Sequence, residues 1–228
     1  MLLVQGASVF MRQFTNALPE IEEAIFSTKT HRQLVNNATV LCSCGAAGRF
    51  RCPECGCADM MCGTCIVKMH PHQLFHHVEV WEGSGFRRTP LIDLGHELHL
   101  CHGGRRCPHG SYQAKGQKVV IVDTNGIHNV QVFFCGCHEA PSHHLQLIGE
   151  HLFPATLDRP QTAFTFAVLH NFHVHNLVSK KTAQDYYRAL QKLTDSAFPS
   201  KIPVRKSFHF PNCPTEQQHR IVTANLCG

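Results

Sequence analysis

The residues with the most chemistry in this sequence are cysteines and histidines at metal-ligand spacing. The series begins Cys42-x-Cys44, Cys52-x-x-Cys55 and Cys62-x-x-Cys65, and continues with His70 and His76. Further on stand His102 and Cys107, then Cys135-x-Cys137. Two cysteines one or two residues apart offer both sulfurs to one ion from a single turn, and a structural zinc takes four such ligands in a tetrahedron. Pairs in series therefore predict two to three structural zinc ions. Four protein ligands leave no open coordination position, so the pattern points away from catalysis, and no catalytic residue is assigned.

Interleaved pairs of this kind usually fold as a cross-brace. The first and third pairs then share one ion, Cys42, Cys44, Cys62 and Cys65. The second pair shares another with the histidines, Cys52, Cys55, His70 and His76, with His72 and His77 as near-equal competitors. His102, Cys107, Cys135 and Cys137 make a third tetrahedral set from two distant segments, with Cys101 as an alternative ligand. Cys57 is a spare thiol. The remaining histidines read as surface or interface residues. No His-Glu-x-x-His occurs, and Glu97 beside His96 and His99 matches no hydrolytic signature.

The composition fits metal better than disulfides. The chain has 228 residues with 13 Cys and 19 His. Its first residues, MLLVQGASVFM, lack a basic start and are broken by Gln5, Gly6 and Ser8, which argues against a secretory signal. No stretch is apolar enough to span a bilayer. A reducing intracellular setting and zinc ligation follow as the expectation. The formal charge of +5 overstates the attraction to nucleic acid. A four-thiolate zinc carries −2 and a three-thiolate, one-histidine zinc −1, so the metal-bound charge is about +5 − 2 − 1 = +2. Basic residues come as pairs, Arg87-Arg88, Arg105-Arg106 and Lys180-Lys181, which fit a solvated surface or a phosphate-facing patch.

The elements that must position these ligands are read from pattern. A helix is predicted over 18–35, from Pro19 and the early Glu20, Glu22 and Glu23. Residues 78–81 predict a short strand. Val119–Val122 and Ile127–Phe134, joined by Asp123-Thr124-Asn125-Gly126, predict a hairpin that delivers Cys135 and Cys137 off its end. Helices are predicted over 160–176, opening at Pro160, and over 180–195, with Ser179 as N-cap. The fold class expected is α+β: a small zinc-built module, with a B-box-like cross-brace and a zinc-knuckle hairpin, followed by helices and an irregular tail. The division expected is 1–37 (an N-terminal segment with a helix), 38–137 (the zinc module), 138–195 (a helical extension) and 196–228 (a Pro-rich tail).

The stretch RCPECGCADMMCGTCIVKMHPHQLFHHVEVW resembles the CxC2-like cysteine cluster found beside the transposase domain of KDZ (Kyakuja–Dileera–Zisupton) elements, which are abundant in fungi. The resemblance continues in order through Trp81, Leu94-Gly95, His102-Gly103, Cys107-Pro108, Asp123–Ile127 and Phe134–Cys137. It goes on through Gln146-Leu147, Phe153–Thr156, PQTAFTFAVLHNF, Asp185–Tyr187 and Leu193–Asp195, covering roughly 40–195. It implies a zinc-binding, transposase-associated module whose partners are DNA, at transposon ends, or another protein. It also implies a nuclear location, no membrane and no small-molecule substrate. The family's catalytic carboxylates lie in a nuclease domain further along. A domain on the order of 100 residues has no room after Asp195, so the chain is expected to be non-enzymatic, a truncated copy or solo derivative. Against the family pattern, Cys42-x-Cys44 has a one-residue spacer. The ladder is also similar to B-box zinc domains, which makes a protein-interaction adaptor unrelated to transposition the alternative function.

Overall fold

Alternation along two strands builds the larger part of the molecule. In the computed structural model, which describes residues 2–26, 39–110, 115–195, 198, 199 and 202, the predicted hairpin is present. Numbering strands in chain order, β6 (Gln117–Asp123) and β7 (Gly126–Phe133) pair antiparallel, with Asp123 opposite Gly126. The two loop residues are thus Thr124 and Asn125, one position earlier than an Asn-Gly centre. Gly126 takes φ 150 at the strand start, a conformation that favours glycine.

Around this hairpin lies a five-stranded mixed sheet in the order β5-β7-β6-β9-β8, with β5 at Glu97–His99, β8 at Leu152–Pro154 and β9 at Thr162–Thr165. Side chains alternate between its faces, as strand geometry requires. Val119, Ile121, Val130 and Val132 bury one way, with Leu98, Leu100, Phe134, Leu147 and Leu152. Val122 and Ile127 bury the other way, with Phe164, Val168, Tyr186, Tyr187 and Leu190. Helix His143–Gly149 contributes Leu147 to the first face. Helices Phe166–Ser179 and Ala183–Thr194 cover the second.

Three predicted helix boundaries shift here. Residues 162–165 are a strand, not the first turn of a helix from Pro160. This short run of threonine, alanine and phenylalanine is buried between two neighbours, where β-branched and aromatic residues fit. The helix that follows begins at Phe166 and is capped by the Thr165 hydroxyl, which accepts from the Val168 N–H. The last helix starts at Ala183 under a Thr182 cap, not after Ser179. Ser179 ends the preceding helix and donates to the His175 carbonyl. Because β9 pairs parallel with β6, residues on both sides of the expected boundary at 137/138 share one sheet.

The chain divides into two compact units, residues 1–71 with 76–89, and residues 72–75 with 90–228. The first holds a four-stranded antiparallel sheet in the order β2-β1-β3-β4. Its strands are β1 (Phe50–Cys52), β2 (Cys57–Met61), β3 (Val78–Trp81, the predicted strand) and β4 (Phe86–Thr89). It also holds helix Gly63–Met69 and a long helix, Leu2–Phe26. The helix predicted from residue 18 therefore starts earlier. Ahead of Pro19 the only Gly or Pro is Gly6, and Pro19 lies inside the helix rather than opening it. Residues 27–35 of that prediction, and most of the 196–228 tail, lie outside the described residues. Gly48 permits a close approach in this unit, since a Cβ there would stand 2.8 Å from the Met60 carbonyl oxygen. Among the described residues, no helix is long and apolar enough to cross a membrane.

Candidate metal centres

Three groups of four side chains bring their donor atoms within 4.8 Å of one another: Cys42, Cys44, Cys62 and Cys65; Cys52, Cys55, His70 and His76; and His102, Cys107, Cys135 and Cys137. Each could hold a metal ion.

In the first group, the turn after Leu41 sets Cys42 and Cys44. The Cys42 N–H donates to the Ala46 carbonyl and the Gly45 N–H to the Cys42 carbonyl, both at 2.8 Å. Cys62 and Cys65 come from the start of helix Gly63–Met69, and Cys44 Sγ stands 3.6 Å from Cys62 Sγ. The four sulfurs are crowded, and their hydrogen bonds shift the thiols in opposite directions. Backbone N–H groups of Cys44 and Cys62 pull the Cys42 thiol down to about 6. Hydrogen bonding to Cys62, Cys44 and Cys42 pushes Cys65 up to about 12.

The second group is built on the β1–β2 connection, where the turn Pro53–Cys55 ends in Gly56 at φ 63. Cys55 Sγ lies 3.3 Å from His70 Nε2 and 3.3 Å from His76 Nδ1, and Cys52 Sγ lies 3.5 Å from His76 Nδ1. His70 is fully buried, and its Nδ1 is 2.7 Å from the Ile66 carbonyl oxygen. A carbonyl can only accept, so Nδ1 carries the proton and Nε2 presents its lone pair to the group. Burial lowers the His76 pKa, which favours the neutral ring a metal needs. Of the competing histidines, His77 is engaged by Glu54, whose Oε1 lies 2.7 Å from His77 Nδ1 and accepts the His77 backbone N–H at 2.9 Å. His72 is exposed. Neither belongs to the group. Cys57 lies in β2, with its side chain outside the described residues.

The third group depends on a parallel pairing. β5 and β7 run side by side, Glu97 opposite Gln131 and His99 opposite Phe133, and the Leu100 N–H continues the ladder to the Phe133 carbonyl. Parallel strands end at the same edge, so the residues that follow them meet. Cys101, His102, Gly103 and Gly104 all have positive φ, from 48 to 76, a costly run for Cys101 and His102 that turns the imidazole back toward the hairpin end. His102 Nε2 reaches Cys135 Sγ at 3.2 Å and Cys137 Sγ at 3.5 Å. Cys107 Sγ is 3.6 Å from Cys135 Sγ and 3.5 Å from Cys137 Sγ. Residues 91–197 match the family model described as CxC2 like cysteine cluster associated with KDZ transposases. This CxC2 match takes in the whole five-stranded sheet and the third group, and the other two groups precede it. No curated protein and no solved structure matches the chain.

The donor distances fit a tetrahedral ion. With bonds of about 2.3 Å to sulfur and about 2.0 Å to nitrogen, two sulfurs stand about 3.8 Å apart, and a sulfur and a nitrogen about 3.5 Å. A disulfide would place its sulfurs at about 2.05 Å, and the ten described cysteines are all free. Cys101 stays outside the third group. Its thiol is pushed up by burial and by the neighbouring Cys135.

Several supporting residues lie within the stretches that carry the resemblance, but their roles had no ligand-type pattern to mark them: the Ile66 carbonyl behind His70, Glu54 beside His77, and Gln146 behind Cys135. Glu97, near the 101–110 loop, accepts from Arg106 at 2.9 Å and lies 3.0 Å from His99 Nε2. Burial pushes its carboxyl up, but the His99 and Arg106 hydrogen bonds outweigh this and hold it below its ordinary value.

Proposed function

We propose that this chain is a zinc-stabilised binding module that works with a KDZ-type transposase and contacts DNA, with transposon ends as the natural target. The observation that carries this reading is that each of the three groups brings four protein donor atoms within 4.8 Å of one another. Such sets suit zinc among the divalent metals, through their sulfur and imidazole ligands. With four protein ligands, zinc organises the fold and has no vacant position at which to activate water. The reading therefore assigns this chain no catalysis, and it places the chain in the nucleus beside its DNA.

Support for DNA comes from exposed arginines beside the metal-bearing segments. Arg105 and Arg106 stand on the loop between His102 and Cys107, with the Arg106 side chain 79% exposed. Arg87 and Arg88 lie on the edge strand β4. Charges on an edge strand also prevent unwanted strand pairing, so the two pairs need separate tests. A B-box-like protein adaptor is the second reading. It is favoured by Trp81 and Phe86, a T-shaped aromatic pair with centroids 5.0 Å apart, with the Arg51 guanidinium 3.5 Å over the Phe86 ring.

Two measurements test the proposal together. Native mass spectrometry should find three zincs per chain, all removed by chelator. DNA affinity should fall steeply with salt, and replacing Arg105 and Arg106 by Ala should reduce the slope of log K against log salt by roughly 0.9 per lost phosphate contact. Binding that is absent, or flat in salt, refutes the DNA reading and leaves the adaptor.

A further inference from the structure

Behind the third donor group stands a buried amide. Gln146, in helix His143–Gly149, is 3% exposed. Its Oε1 accepts the Cys135 backbone N–H at 2.8 Å. Its Nε2 donates to the Pro141 carbonyl at 2.8 Å and to the Cys135 carbonyl at 3.4 Å. Turning the amide over would set its NH2 against the Cys135 N–H and its oxygen against two carbonyls, so these bonds fix one orientation. The next residue, Leu147, is fully buried in the sheet core, which ties the helix to the same sheet that carries Cys135.

Cys135 is the centre of its group. Its sulfur approaches His102 Nε2 and Cys107 Sγ and accepts the Cys137 N–H at 3.5 Å. The ligands come from two segments, so the group closes only if the Cys135 peptide is held in one position. We infer that Gln146 is the positioning residue of this third metal centre: its amide clamps the Cys135 backbone so that the sulfur stands where His102, Cys107 and Cys137 converge. This inference rests on the metal-binding reading above. It differs from a packing role because it acts through hydrogen bonds to one ligand's backbone, and groups behind a metal's own ligands commonly set affinity by 10- to 100-fold, order-of-magnitude values.

The test uses the full chain, zinc, and Gln146→Met, which keeps the volume and removes both kinds of hydrogen bond. Stepwise chelator competition read by native mass spectrometry should show one of three zincs released roughly 10–100-fold more readily than in wild type, with the other two unchanged. With cobalt in place of zinc, the visible ligand-field bands of that centre should shift. Hydrogen exchange should quicken at the Cys135 amide and stay slow along Val119–Val122. Unchanged retention of all three zincs overturns the inference. So does equal loss of protection at Cys135 and along the hairpin, which would make Gln146 an ordinary core residue. A wild-type chain that holds only two zincs, with His102 and Cys135 dispensable to both, overturns the metal reading of this group itself.

Discussion

The two units reach order by different means. In the first, the buried aliphatic side chains among those described are few, Met60, Ile66, Val78 and Val80, and the buried residues beside them include Cys42, Cys52 and His70. A described core this small leaves much of the chain's conformational entropy to be offset, which is what metal bound at the two donor groups would contribute. In the second unit, a five-stranded sheet buries a cluster on each face, and the His102, Cys107, Cys135 and Cys137 group sits where two strands end. Metal would be the core of the first unit and a local clamp on the second. The comparison teaches that donor sets of the same size need not carry the same structural weight.

The comparison breaks most clearly at Cys55. Cys55→Ser, or Cys62→Ser, should cost the first unit on the order of 10 kcal/mol of metal-linked folding energy. Hydrogen exchange over 42–81 should then become that of an unfolded chain, while 117–165 stays protected. Next in size is Phe164→Ala, which should destabilise the second unit by about 3–5 kcal/mol, seen as a lower denaturation midpoint with zinc stoichiometry unchanged. Cys137→Ser should remove one zinc and free the 101–110 loop, yet leave the β6–β7 amides slow to exchange. If the sheet melts with it, the clamp description fails.

The smallest effect concerns Glu97. Its folded pKa is held down, so its ion pairs contribute stability that is present above its unfolded pKa and lost as pH falls through the lower folded value. Glu97→Gln should therefore cost less than about 1 kcal/mol near neutrality, and denaturant midpoints of mutant and parent should converge in acid, below the ordinary carboxylate range.

Much of this was legible before any coordinates. The Cys-x-Cys and Cys-x-x-Cys pairs name their own turns, and the two flanks of Asp123-Thr124-Asn125-Gly126 alternate as strands must. Residues 162–165 misled because four residues of strand run without a break into helix Phe166–Ser179, and an apolar run that short carries no distinguishing period. Ser179 misled because a serine suits an N-cap by type, whereas it ends the preceding helix and the cap falls at Thr182.

The sequence by itself determined which residue types could bind metal and which pairs share a turn, since both depend on spacings of one to three residues. The sequence also suggested how distant donors combine, the same three sets of four that the structure brings together, and the tertiary structure supplied the physical reason. His102 meets Cys135 because β5 and β7 pair in parallel and so end together, a non-local contact with no periodic trace in the chain. It also decided what holds the donors still, Ile66 behind His70 and Gln146 behind Cys135, because a hydrogen bond to a backbone group depends on position in space and not on a side-chain pattern.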